Sequence, residues 1–145
     1  MPEQKTIERA RKAKREGKAP STQAGEFVRE EIEHIREGKH GARSTKQAIA
    51  IGLSKARRAG VKLTPPKQGE ASARTRQGAK QAYRAGQTGK HKKPSARRSR
   101  ATLRALQREP RSAASHTALS KQARSTARKR STATRKRKRP DRDDQ

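Results

Sequence analysis

The large apolar side chains of this chain gather in its first half and keep helical spacing there. Over residues 25–38, Phe27, Val28, Ile32 and Ile35 fall on one side of a 3.6-residue period. Glu30, Glu33 and Glu37 fall largely elsewhere, and Gly38 supplies a left-handed stop. Over 44–60 the pattern is clearer still. Ser44-Thr45-Lys46-Gln47 reads as a capping box, Ile49, Leu53 and Ala56 form one stripe that Ile51 widens, and Gly60 closes the helix. The loop between them, residues 39–43, suits an antiparallel hairpin. Upstream, residues 3–19 predict a short helix ending near Gly17, with Ile7 its only large apolar side chain and Pro20 breaking it.

Beyond Pro65 and Pro66 the texture changes. Residues 64–94 are rich in Gly, Lys, Gln and Ser, with Tyr83 isolated among them. Residues 95–109 and 115–130 have helical potential, the first with Ser95 as cap and Pro110 as stop. Leu103 and Leu106 in one, and Leu119 in the other, are too few to fold either alone. The fold class expected is mainly α: a small helical hairpin followed by a long disordered or conditionally helical basic tail. The corresponding division is a weakly helical basic segment over 1–24, the hairpin over 25–63, and an Arg/Lys-rich disordered arm over 64–145. A hairpin of about 40 residues is rarely stable without a staple or a partner. The stripe Phe27, Ile32, Ile35, Ile49 and Leu53 is therefore expected to bury against a second copy or another protein.

Charge sharpens this division. Lys and Arg number 41 against 13 Asp and Glu, a formal charge of +28. Residues 1–63 carry 16 basic and 8 acidic side chains, whereas residues 64–140 carry 24 basic ones against Glu70 and Glu109 alone. With 26% apolar residues and one Phe, one Tyr and no Trp, a sizeable core is not expected. A segment so one-sided repels itself unless a polyanion neutralises it, and nucleic acid is the abundant one. The phosphate contacts expected are Arg43, Lys46, Arg57 and Arg58 on the hairpin; Lys90, Lys92, Lys93, Arg97, Arg98, Arg100, Arg104 and Arg108; and Lys121, Arg124, Arg128, Lys129, Arg130, Arg135, Lys136, Arg137, Lys138 and Arg139.

Base reading has little support. There is no cysteine for a zinc finger and no set of aromatic residues on which bases would stack. Ser44, Thr45, Lys46 and Gln47 have the residue types of a recognition-helix N-terminus, and equally those of an ordinary cap. Glu31 and His34 have the i, i+3 spacing of helical carboxylate metal sites, but the second such helix is lacking. The acids at 30–37 read instead as a solvated face able to restrain the arm. Residues 86–91 fail the P-loop pattern, and no nucleophile has a base and orienting acid in sequence, so neither an enzyme nor a cofactor or metal is expected.

The stretches GEFVREEIEHIREG (25–38) and STKQAIAIGLSKARRAG (44–60) resemble a family of small basic bacterial proteins often labelled plasmid stabilisation protein or DNA-binding protein. The arm also resembles bacterial histone H1-like proteins. These resemblances imply a bacterial, cytoplasmic or nucleoid setting and bring no active-site residues. The N-terminus has no apolar stretch of secretory type, and the longest apolar run is far short of the roughly 20 residues that cross a bilayer, so no membrane partner is expected. The function expected is sequence-tolerant nucleic-acid binding, DNA ahead of RNA, in a nucleoid-associated or plasmid-maintenance role. The alternatives are RNA or ribosome association, and a protein-interaction module of a plasmid stabilisation system.

Overall fold

The computed structural model describes residues 2–90 and 92–138. Six α-helices occur among them: α1 (Gln4–Arg15), α2 (Pro20–Arg36), α3 (Thr45–Arg58), α4 (Ala73–Thr88), α5 (Ala96–Gln107) and α6 (His116–Lys138). A single 3-10 turn, Ser112–Ala114, precedes α6. The expected hairpin with a long disordered tail is thus overturned. Helix continues through the arm, and parts of the arm are built into the core.

The first three helices stop as their glycines dictate. Gly17, Gly38 and Gly60 adopt φ of 74°, 78° and 100°. After each, the next amide reaches back into the last turn: Lys18 N to Ala13 O, Lys39 N to His34 O, and Val61 N to Ala56 O. The start of α2 differs from expectation. Pro20 does not break a helix but opens one at its first position, where a missing N–H costs nothing and φ is already helical.

α2 lies at the centre and packs on both α1 and α3. On one side, Phe27 and Ala24 meet Ala10 of α1, Ala56 of α3 and Val61, with Ile7, Leu53 and Leu63 against them. α1 is thereby docked: it buries Thr6, Ala10 and Ala13, and half-buried Ile7 is its one large apolar side chain in the contact. On another side, Ile32 and Ile35 meet Ala42, Ala48, Ala113 and Ala114, with Val28 and Leu119 of α6 packed on. Ile49 is only half-buried. The stripe expected to bind a partner is therefore filled largely from within the chain. Phe27, Ile32 and Ile35 are core residues, and Leu53 packs at the edge of the same core.

Polar side chains fasten the arm to this core. The Arg111 guanidinium donates through Nε to Ile35 O at 3.2 Å, which also accepts from Gly38 N, and through Nη2 to Arg36 O, so it fastens onto the last carbonyls of α2. Arg36 Nε donates to Ala114 O at 3.0 Å, and Thr45 Oγ1 to Ala113 O at 2.7 Å. The backbone amides of Gly41 and Ala42 donate to Leu106 O and Pro110 O. α4 packs on α3, burying Ala79 and Ala82. By contrast, α5 buries no side chain at all, and no side chain described after Ser125 is buried.

α2 and α3 approach closely where Gly52 faces Val28. A Cβ on Gly52 would lie 2.6 Å from Val28 Cα. Helical Gly→Ala ordinarily stabilises by about 0.5–1 kcal/mol. At Gly52 the sign inverts: Gly52→Ala is expected to cost about 1–3 kcal/mol in urea unfolding, because two helix backbones must separate. Gly25→Ala and Gly78→Ala, where an added Cβ meets nothing within 4 Å, are expected to show the ordinary gain.

Candidate nucleic-acid interface

The N-terminus of α3 is fixed as its sequence directs. Ser44 Oγ accepts from Gln47 N at 3.2 Å, and Gln47 Oε1 accepts in return from Arg43 N at 2.7 Å. The start of α6 is capped likewise, with Ser115 Oγ accepting from Ala118 N at 3.1 Å. The bond from Thr45 to Ala113 ties the two helix starts together. The first amides of each helix lack intrahelical partners, and each helix end carries a partial positive charge. Two such ends therefore share one shallow groove, whose lining includes Arg43, Ser44, Thr45, Ser115 and Lys121. That is an anion-binding arrangement.

From there a cationic track runs along α6. A second shallow depression, lined by His116, Thr117, Ser120, Lys121, Arg124 and Arg128, shares Thr117 and Lys121 with the first. Lys121, Arg124, Arg128 and Arg135 recur at i, i+3, i+7 and i+14, one face of the helix, and all four are exposed. At 1.5 Å per residue the stripe is about 21 Å long. The structure thus brings Arg43 and Lys121, far apart in sequence, to one groove, and joins Lys121 to the α6 stripe.

The remaining expected contacts divide by place. On α5, Arg97, Arg100, Arg104 and Arg108 share one exposed face, and Arg98 lies off it. Lys90, Lys92 and Lys93 are exposed between α4 and α5. Lys46 and Arg58 are exposed on α3. Lys129, Arg130 and Lys136 are exposed on other faces of α6. Arg137 and Lys138 belong to that helix, and Arg139 lies outside the described residues. Arg57 is withdrawn from any such role. It is 7% exposed and donates from Nε to Leu63 O at 3.2 Å and from Nη2 to Thr64 O at 3.3 Å, tying down the chain after α3. Burial holds its guanidinium below the usual value.

The acidic face expected to restrain the arm is not one. Glu30 and Glu31 are 3% and 1% exposed and point inward. Only Glu33 and Glu37 are in solvent, paired with Arg29 at 3.1 Å and with Lys39 at 3.3 Å. Lys55 of α3 reaches Glu31 across the helix interface, and this ion pair had no signature in hydrophobic periodicity.

Fold and surface together define a small all-α protein with an exposed cationic track. Residues 3–68, a little under half of the chain, match the profile of a family of unknown function (DUF6496). No curated protein and no solved structure matches the chain. The matching family names no activity, substrate or partner. No helix among the described residues is long and apolar enough to cross a membrane.

Proposed function

We propose that the protein binds nucleic acid without reading sequence, DNA ahead of RNA, through the groove at the α3 and α6 starts and the basic stripe of α6. The observation that carries this is the continuity of Arg43, Lys121, Arg124 and Arg128 with two helix N-termini. Each is a phosphate-binding element, and phosphate contacts position a protein on a duplex without specifying sequence. The setting that suits such a protein is the nucleoid, or accessory DNA binding in plasmid maintenance. The reading of Ser44, Thr45, Lys46 and Gln47 as the N-terminus of a recognition helix loses ground for a physical reason. The N-terminus of α3 is covered on one side by the 3-10 turn through Thr45, which is 8% exposed.

Fluorescence anisotropy with labelled oligonucleotides tests the proposal. Duplexes of scrambled sequence are expected to bind alike, within about threefold. Affinity at physiological salt is expected near the tight end of non-specific binding, about 10⁻⁶ M. Tighter binding to structured RNA than to duplex DNA would move the reading to RNA association. No binding to any of them at low salt would sink it.

A further inference from the structure

Glu31 is a carboxylate where the sequence pattern leads one to expect solvent, yet it is 1% exposed. Lys55 Nζ hydrogen-bonds its Oε1. Its Oε2 is buried and accepts no hydrogen bond among the described residues. A buried, unpartnered carboxylate oxygen is costly and calls for an explanation. Two imidazoles face this group. His40 Nε2 lies 3.2 Å from Oε2, outside hydrogen-bonding geometry, and His34 Nδ1 lies 4.0 Å from Oε1. The rings meet edge-on, with centroids 6.3 Å apart.

The outer nitrogens of the two rings decide what the inner ones present. His40 Nδ1 lies 2.8 Å from Gly41 O, a pure acceptor, so Nδ1 carries the proton. His34 Nε2 lies 3.2 Å from Glu3 Oε1. A carboxylate oxygen accepts there, so His34 Nε2 carries the proton and donates to it. In the neutral rings, His34 Nδ1 and His40 Nε2 then turn lone pairs toward the same carboxylate. Lone pairs facing one another repel, and a cation shared among them makes the contact attractive.

We propose that Glu31 Oε2, His34 Nδ1 and His40 Nε2 bind a divalent transition-metal ion of the zinc class. One carboxylate oxygen of Glu31 and one nitrogen from each ring lie within 4.8 Å of one another. Bonds of about 2.0–2.2 Å place tetrahedral ligands roughly 3.3–3.6 Å apart, so no edge of the triangle need close by more than about 1.5 Å. Both rings are already held through their remote N–H by an outer acceptor, Gly41 O or Glu3, as metal-bound histidines are. Two imidazoles with one carboxylate suit zinc-class ions over Ca²⁺ or Mg²⁺, which take oxygen ligands. The charge also fits. Glu3, Glu30 and Glu31 gather here against Lys39 and Lys55, with Glu30 Oε1 accepting from Glu3 N at 2.6 Å. The second helix that Glu31 and His34 lack in sequence is replaced by the α2–α3 loop, which brings His40.

Calorimetric titration of ZnCl₂ into the full-length, chelator-stripped protein is expected to show one saturable site. Co²⁺ is expected to give a visible d–d band. His34→Gln and His40→Gln each abolish that band, whereas His116→Gln, exposed at the start of α6, leaves it unchanged. Glu3→Gln weakens Zn²⁺ binding about 10- to 100-fold through the orientation of His34, with far-UV circular dichroism unaltered. Should Glu31→Gln fail to fold, the histidine variants still decide the matter. Absence of saturable Zn²⁺ binding overturns the proposal, as does a Co²⁺ band that survives in the His34→Gln/His40→Gln double variant. None of these ligands lies on the cationic track, so the result is independent of nucleic-acid binding.

Discussion

Phe27→Ala is expected to remove about 3–5 kcal/mol of stability, a large part of the 5–15 kcal/mol typical of a domain. Phe27 is the only phenylalanine of the chain and is 1% exposed. Its neighbours Ala10, Ala24 and Ala56 come from three helices, with Val61 closing the cluster. Alanines cannot swing into a vacated volume, and α2 cannot sink toward α3, because Gly52 already brings their backbones together. The cavity therefore persists, which places the cost at the upper end of such substitutions. The chain has no Trp, so urea unfolding is best followed by far-UV circular dichroism, with sedimentation velocity alongside. A variant with an unchanged midpoint but a smaller sedimenting species would show that the stripe holds two copies together instead of three helices.

That contrast marks what periodicity reveals and what it does not. The Ser44–Gln47 cap, the glycine stops and the inward face of α2 follow from local chemistry, and each stands in the sequence. Periodicity cannot say what covers an apolar face. Here the cover is made of alanines: Ala10 from α1, Ala113 and Ala114 from the 3-10 turn, with Leu119 beside them. Each buries little area, so a tally of large apolar side chains assigns residues 64–145 to solvent. α4 escapes for the same reason. Its packing on α3 depends on Ala79, Ala82 and Gly86, where a Cβ would lie 1.8 Å from Arg57 O. Close approach needs the absence of side chains, and composition counts that absence as a lack of core.

Charge composition misleads about arginine in a related way. It assigns Arg57 and the arginines of the arm to an external polyanion. Yet Arg57 and Arg111 spend their donors on backbone carbonyls of their own chain. A guanidinium offers five donors in a planar fork, and the free carbonyls at a helix end suit it as well as a phosphate does. The α6 stripe was legible, because Lys121, Arg124 and Arg128 keep helical spacing. Its junction with Arg43 was not, since it depends on how the 3-10 turn seats α6 against α3.

Changing Lys121, Arg124 and Arg128 together to Gln is expected to flatten the salt dependence of DNA binding by about 2.7 in the log–log slope. Each phosphate neutralised contributes about −0.9 on duplex DNA. Extrapolated to 0.1 M salt, the same relation makes the loss of affinity several hundred-fold, uniform across sequences. All three side chains are exposed, so the melting temperature should hold and the loss is one of binding. Arg29→Gln, on α2 and paired with Glu33, is the control and should leave the slope unchanged. Deleting residues 126–145 asks the same question of the far end of α6. It removes nine basic and three acidic residues and no buried side chain among those described. A cut after residue 66 would instead strip Ala113, Ala114 and Leu119 from the core and confuse unfolding with loss of contact. If the triple variant keeps the parent slope, the phosphates are met elsewhere. The exposed arginine face of α5, which packs on nothing in the chain described, would then be the surface to neutralise next.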